Sequence, residues 1–542
     1  MMQGLMMKRH VLISDLIQHA ELHYASHTIV SCLVEGAQVR LTYRELAHRS
    51  KQLAQSLARL GVRHGDCVGT LAWNTHRHLE AYFAISGLGA ITHTINPRLF
   101  PEQIEYIINH AEDRALLVDL SFVDLVRTLR PMLPSVRFII ILSDRDHMPP
   151  DPEFMCYEDL IASEHGDFSW PDFPDDQAAA LCYTSGTTGH PKGVLYSHYS
   201  TVMHAMAACR NDALGIGPAS RILPVVPMFH VCAWGTPYAA ALTGAHLVLP
   251  GPFLDGASLS KLIEQERTDL LLGVPTVWLG LLDHLRQHKI RLAHVRQVVV
   301  GGSAAPLAMI REFAESHGIF LVHAWGMTEL SPLGTVNLPT PELMALAPEA
   351  RYLQQLKQGR AVFGIELAIM DDNHQRLPHD GKTFGKLYVR GPWVASSYFR
   401  SDDRSSFHEG WFCTGDIATM TADGMMQIVD RDKDVIKSGG EWISSIDLEN
   451  AALSFPDIHE ACVVGIPHQR WGERPLMLVV ADHEPDQGAL RDHLAQHVAR
   501  WWIPDRIVLV ESLPHTATGK LSKKTVREQF QDYYLRQHSE EV

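Results

Sequence analysis

The sequence predicts an α/β protein built mainly from parallel sheets covered by helices, with a smaller separate unit at its C-terminal end. Three observations carry this. Short runs rich in Val, Ile and Leu, ending in Gly or Pro, recur through most of the chain. Helical patterns alternate with them. A charged run, DRDKD at 430–434, follows the short strand pattern MMQIV (425–429) and leaves roughly 110 residues beyond it, enough for a small domain.

Taken in order, the first 20 residues are apolar in places. Asp15 interrupts them and no small-residue cleavage site follows, so they do not read as a signal peptide. The stretch 29–43 reads as a hairpin turning near Gly36. Thr42 and Glu45 then form a capping box. Leu46, Leu53, Leu57 and Leu60 follow at helical spacing, and Gly61 supplies the stop. The apolar runs at 67–73, 115–119, 138–142, 221–227, 246–250, 269–275 and 295–302 read as strands buried on both faces. Strand–helix alternation of this kind implies parallel sheets.

At 542 residues the chain exceeds what one hydrophobic core supports. Its net charge of −15 disfavours non-specific nucleic-acid binding, which needs a basic face. The eight cysteines include no Cys-x-x-Cys pair, so neither a zinc ribbon nor a disulfide framework is indicated. No apolar run approaches the roughly 20 residues a membrane helix needs. A cytoplasmic protein with reduced thiols is the expectation.

The most informative segment is YTSGTTGHPKG at 183–193, which follows the apolar strand 178–182. Thr184, Ser185, Gly186, Thr187, Thr188 and Gly189 combine hydroxyl donors with glycines that let backbone N–H groups approach a phosphate. Lys192 adds a point charge for phosphate oxygens. Such a loop suits a triphosphate tail or a departing pyrophosphate. No Gly-Lys-Ser/Thr follows at the spacing of a Walker A loop, and G-x-G-x-x-G and G-x-S-x-G are absent.

This loop resembles the signature of the adenylate-forming superfamily, which includes acyl-CoA synthetases, luciferases and peptide-synthetase adenylation domains. WGMTEL (325–330), WFCTGD (411–416), DRDKDVIKSGGEWIS (430–444) and PHTATGK (514–520) resemble further motifs of that family, in the family's order. INPRLFPEQI (95–104), PVVPMFHVCAWGTPY (224–238), GVPTVW (273–278) and GGSAAP (301–306) resemble its fatty-acid branch. The alkane-degradation medium-chain synthetases look nearest, with the methylmercaptopropionate–CoA ligases almost as near.

The resemblance implies a large N-terminal domain (1–430) of several subdomains, a hinge at 431–434 and a small mobile α+β domain (435–542). It implies ATP, Mg²⁺ and coenzyme A as cofactors and substrates. Thr184 and Glu329 are expected around Mg²⁺, with oxygen ligands for a hard cation. Gly302, His323, Ala324, Trp325, Gly326 and Thr328 are expected around the nucleotide. Trp325, where the family usually has Tyr, would frame the adenine. Asp416 would accept from both ribose hydroxyls, and Arg431 would add a ribose or phosphate contact. Lys520 would bridge the substrate carboxylate and the α-phosphate, acting by charge and not as a base.

His230 is expected near the acyl carboxylate, with Trp234 as the gate of an acyl tunnel and Val231 and Gly301 along its wall. Lys433 matches the family hinge. Lys437, Gly439, Gly440, Glu441 and Trp442 form the loop expected to face the site when the thiol enters. Lys523 and Lys524 are expected to be solvated. His190 occupies a variable position of the family loop, and His515 stands where the family often has Arg.

The expected reaction is attack of a medium- or long-chain fatty acid on the ATP α-phosphate, giving acyl-AMP and pyrophosphate, then transfer to coenzyme A. The alternatives are a ligase for 3-methylmercaptopropionate or another short acid, transfer to a carrier-protein pantetheine, and a degenerate adenylate-binding regulator. A homodimer is expected from resemblance of the N-terminal segment alone.

Overall fold

The computed structural model describes residues 2, 4–184, 190–439, 441–468, 470–515, 521–531 and 533–534, and of Glu441 the backbone only. Ser185, Gly186, Thr187, Thr188, Gly189, Gly440 and Lys520 therefore lie outside the described residues.

The apolar runs at 67–73, 115–119, 138–142, 178–182, 221–227, 246–250, 269–275 and 295–302 become strands as their composition predicts, and Ile91–Thr94, Phe154–Cys156 and Leu321–Gly326 join them without being marked by composition. Cys67–Leu71, Ile91–Thr94, Ala115–Val118, Phe138–Ile141, Phe154–Cys156 and Ala178–Tyr183 lie parallel in a seven-stranded sheet, closed at one edge by antiparallel Gly193–Ser197. A nine-stranded sheet has a parallel centre of Thr28–Cys32, His246–Leu249, Arg221–Pro224, Leu270–Gly273, Gln297–Val300 and Leu321–Gly326. Its antiparallel edges are Gln38–Thr42 on one side and Leu333–Asn337 and Arg360–Ala361 on the other. The central strands are buried along nearly their whole length because helices or the other sheet cover both faces.

Helix His76–Gly87 shows the consequence. Every one of its residues is buried, so it lacks the polar stripe of a surface helix. The hairpin turns with Gly36 at φ 91°, and helix Tyr43–Arg59 begins with the Thr42–Glu45 capping box. The N-terminal segment forms helix Ile13–His23, which buries Ile13, Leu16, Ile17 and Ala20 in the main core. Its apolar residues therefore serve packing. Among the described residues, no helix is long and apolar enough to cross a membrane.

A third sheet is antiparallel: Glu366–Met370, Gly385–Arg390, Trp411–Met420 and Met426–Arg431, with short Phe407–His408. A fourth sheet, in a smaller C-terminal α+β domain, contains Ile436–Ser438, Glu441–Ile443, Ile458–His468, Gly472–Ala481 and Arg506–Leu509. Helices Ser445–Leu453, Gln487–His497 and Lys523–Phe530 accompany it.

Lys523 departs from expectation. Its side chain is 12% exposed, and its ammonium pairs with Glu449 Oε1 at 2.8 Å and donates to Ser445 Oγ. Ser445 in turn donates through N–H and Oγ to Asp430 Oδ2. Glu449 and Asp430 are buried carboxylates, and their attraction holds the Lys523 pKa up against the opposing cost of burial. Two adjacent lysines at a helix start read as solvated until folding brings distant acids to one of them. Lys524, 54% exposed, follows the expectation.

Candidate active site

In parallel α/β sheets, ligands bind in the crevice outside the carboxyl ends of the strands. Here those ends carry the residues singled out by motif. Thr184 follows Ala178–Tyr183, His230 lies six residues past Arg221–Pro224, Gly301 and Gly302 follow Gln297–Val300, and Trp325 is the penultimate residue of Leu321–Gly326.

The flanks of the Gly/Thr-rich segment 183–193 are joined by a hydrogen bond from Thr184 N to Lys192 O at 2.9 Å and by one from Lys192 N to Thr184 Oγ1 at 3.3 Å. The Lys192 ammonium lies 4.7 Å from the Tyr398 ring centroid and 2.7 Å from Asp403 Oδ2. Tyr398 OH donates to Glu329 Oε1 at 2.8 Å. Thr184, Lys192 and Glu329, separate in sequence, are thus linked through Tyr398. Glu329 sits on the turn Thr328–Leu330, and its burial pushes its carboxyl pKa up, partly offset by the tyrosine hydrogen bond. A half-buried hydroxyl and a buried carboxylate that gains by meeting a cation fit the oxygen donor set of Mg²⁺.

A second cluster forms where two sheets meet. Asp416 is 2% exposed; its Oδ1 is 3.0 Å from Arg431 Nε and its Oδ2 accepts from Trp325 Nε1 at 3.3 Å. Antiparallel pairing places Asp416 directly opposite Arg431. The Trp325 ring lies over Gly334, where a Cβ would come within 2.5 Å of it, so the neighbouring strand must carry glycine there. On the same strand His323 is buried, its Nδ1 3.1 Å from Leu356 O, and burial lowers its pKa to about 4, keeping the ring neutral at neutral pH. Thr328 contributes its carbonyl to Tyr196 OH at 2.6 Å.

The segment after Arg221–Pro224 is unusual. Val231, Cys232, Ala233 and Trp234 have φ between 48° and 57°, followed by Gly235 at 72°. Four non-glycine residues in a left-handed turn cost on the order of 1–2 kcal/mol each, so surrounding contacts must over-determine the conformation. Those contacts are visible. Asn74, 3% exposed, donates to Pro224 O and Val226 O and accepts from Met228 N at 2.7 Å. Tyr82 OH donates to Met228 O, and Thr236 Oγ1 donates to Ala233 O. Trp234 lies against Gly301, where a Cβ would approach its ring to 2.9 Å.

Asn74→Ala would orphan three buried backbone groups. It is expected to lower unfolding stability by about 3 kcal/mol, read from chemical denaturation.

Asn74, Tyr82, Tyr398 and Asp403 escaped the sequence reading. Asn74 precedes a Thr-capped helix and reads as an ordinary turn residue. Tyr398 and Asp403 lie in an irregular polar stretch with no periodicity.

The predicted loop of the C-terminal domain sits on its own hairpin. Lys437 pairs with Trp442 across it, its ammonium 5.8 Å from the indole centroid, and its N–H donates to Glu473. Gly439 N donates to Trp471 O at 2.8 Å. Trp442 also packs against the cluster formed by Ile417, Val429 and Val435, of which Ile417 follows Asp416 in the chain. The Lys433 side chain has its pKa lowered by burial. His515 Nδ1 contacts Leu513 O at 2.9 Å, and its Nε2 is 3.8 Å from Glu460.

Comparison with known proteins shows the family. The AMP-binding enzyme family model matches residues 18–399, and the AMP-binding enzyme C-terminal domain model matches 447–520. The chain is 47% identical over 535 residues to a 3-methylmercaptopropionyl-CoA ligase of Ruegeria lacuscaerulensis, covering 98% of this chain and 99% of that protein. It is also 47% identical over 542 residues to a medium-chain-fatty-acid–CoA ligase of Ectopseudomonas oleovorans, covering 99% of each. Among solved structures, the anthranilate CoA ligase AuaEII in complex with anthranoyl-AMP matches with a TM-score of 0.86 and 25% identity, over 97% of this chain and 99% of that one. The motifs, the clustering of their residues at the strand ends and the matched spans agree, and the chain belongs to the AMP-binding enzyme family.

Proposed function

We propose that this chain is an ATP-dependent fatty acid–CoA ligase acting on medium- or long-chain acids. The observation that carries the reading is the pair of clusters: Lys192, Tyr398 and Glu329 for the phosphate side, and Trp325, Asp416 and Arg431 for the nucleoside side. Near-full-length likeness to two acid–CoA ligases supports it.

In this reading the substrate carboxylate attacks the ATP α-phosphate and expels pyrophosphate. The protein supplies positioning and charge more than a nucleophile. Lys192 holds phosphate oxygens, Asp416 and Arg431 hold the ribose, and Lys520 stabilises charge between the carboxylate and the α-phosphate. Thr184 and Glu329 would hold Mg²⁺, which would supply charge shielding for the phosphates. His230 orients the acyl carboxylate, and Val231, Trp234 and Gly301 line the acyl tunnel. The residues 431–434 act as a hinge between 1–430 and 435–542. Its rotation withdraws Lys520 and brings Lys437, Gly439, Gly440, Glu441 and Trp442 to face the entering thiol. The assembly is a cytoplasmic homodimer, and a clean monomer on gel filtration would remove the dimer.

A screen of pyrophosphate release over acids of graded length, with and without coenzyme A, tests the reading. Release with fatty acids and thioester formation with coenzyme A are the expected results; no release with any acid overturns it.

A second reading has its own observation, the equal 47% identity to a 3-methylmercaptopropionyl-CoA ligase. Competition between 3-methylmercaptopropionate and fatty acids separates the two. Each methylene buried in a tunnel adds up to about 0.8 kcal/mol, so rising selectivity with chain length marks the fatty-acid reading and a short optimum marks the other.

A further inference from the structure

One helix touches both flanks of the phosphate loop. Helix Pro101–Ala111 carries Tyr106 and His110 four residues apart, hence on one face. At the entry flank, Tyr183 OH lies 2.7 Å from His110 Nδ1. At the exit flank, the exposed ring of His190 stacks on Tyr106, centroids 4.2 Å apart and planes inclined by 21°. Tyr106 stacks in turn on His110, at 5.3 Å and 16°.

The helix is itself well anchored. Ile104, Ile107, Ile108 and Ala111 are buried. Arg400 donates to His110 O at 2.8 Å and pairs with Glu112 at 2.7 Å. Phe399 meets the His110 ring edge-on and donates its N–H to Gly193 O, just beyond Lys192. The backbone that leaves strand Ala178–Tyr183 and the backbone that returns at Lys192 are therefore referenced to the same rigid element.

We propose that Tyr106 and His190 are positioning residues for the polyphosphate of ATP: their stack fixes the exit of the phosphate loop against the helix that also fixes its entry. Backbone N–H groups bind phosphate well only when their spacing is already set, because ordering a loop on binding consumes affinity. Histidine at this variable position of the motif is then a functional choice, matched by an aromatic partner four residues before His110. The inference rests on the proposed ATP-dependent activity.

The test is calorimetric binding of MgATP, inorganic pyrophosphate and AMP to the whole chain and to Tyr106→Ala, His190→Ala, Tyr106→Phe and the double alanine variant. An aromatic stack of this kind corresponds to roughly a fivefold change in binding. Tyr106→Ala and His190→Ala are each expected to weaken MgATP and pyrophosphate by about that factor and leave AMP, which lacks the outer phosphates, unchanged. Tyr106→Phe keeps the stacking face and binds as the unaltered chain. The double variant is no weaker than either single one.

His190 is exposed, so His190→Ala keeps the test valid if Tyr106→Ala fails to fold. Equal weakening of AMP and MgATP, failure of Tyr106→Phe, multiplying losses in the double variant, or unchanged pyrophosphate binding in His190→Ala would each overturn the proposal. An unaltered chain that bound no MgATP would instead sink the ligase reading itself.

Discussion

Lys520→Ala is expected to abolish acyl-adenylate formation while leaving thioester formation from supplied acyl-AMP largely intact. The first half-reaction brings a carboxylate and a phosphate together, two groups that repel. An ammonium between them stabilises charge that is greatest in the transition state, and removing one such donor typically costs 10²- to 10³-fold in rate, about 2.7–4 kcal/mol. The second half-reaction has no such pair of anions to join. Lys520 lies outside the described residues, but the described residues on either side of it are held. His515 pairs with Leu521 in an antiparallel bridge, Ser522 N donates to Pro514 O at 2.8 Å, and Lys523 is buried against Glu449. Single-turnover assays of each half-reaction check the outcome. Equal losses in both would show that the assigned role of Lys520 is wrong.

Asp416→Ala carries the other large effect. Its carboxylate is buried, faces Arg431 and accepts from the Trp325 indole N–H. A hydrogen bond to a charged group contributes about 1.5–3 kcal/mol. With the two ribose contacts proposed for Asp416, its removal is expected to lower kcat/KM for ATP by roughly 10²- to 10³-fold or more. Arg431 also loses its partner, which adds to the loss. Asp416→Asn, which keeps one acceptor oxygen, falls between. An ATP analogue lacking both ribose hydroxyls gives the discriminating comparison. It should be a poor substrate for the unaltered chain and suffer little further loss in Asp416→Ala. A full additional loss would mean that Asp416 does not read the ribose.

The two predictions differ in how the residues could be found. Lys520 and Asp416 stand in short contiguous motifs, Thr-Gly-Lys and Thr-Gly-Asp, so resemblance to the family's motifs singles them out. Tyr398 and Asn74 act through single long-range contacts. Tyr398 reaches Glu329 across 69 residues of chain, and Asn74 reaches Pro224 across 150. No local pattern encodes such a pairing. The left-handed turn at 231–235 was equally hidden, because a Val followed by Cys, Ala and Trp has no intrinsic preference for positive φ. Thr236 Oγ1 and the carbonyls of Pro227 and His230 hold Ala233 within it, and Asn74 and Tyr82 fix the segment that leads into it.

What residue order determined by itself was the apolar central strands, the N-terminal hairpin, the helix with its Thr42–Glu45 cap, the Gly/Thr-rich segment 183–193 and the order of the motifs. These depend on hydrophobic periodicity and on chemistry within a few adjacent residues. Tertiary structure alone decided that Lys523 is buried and not solvated, that Tyr398 joins Lys192 to Glu329, and that one helix addresses both flanks of the phosphate loop. Those facts arise from charges and rings brought together from distant parts of the chain, where burial changes the energy of a group far more than its sequence neighbours do.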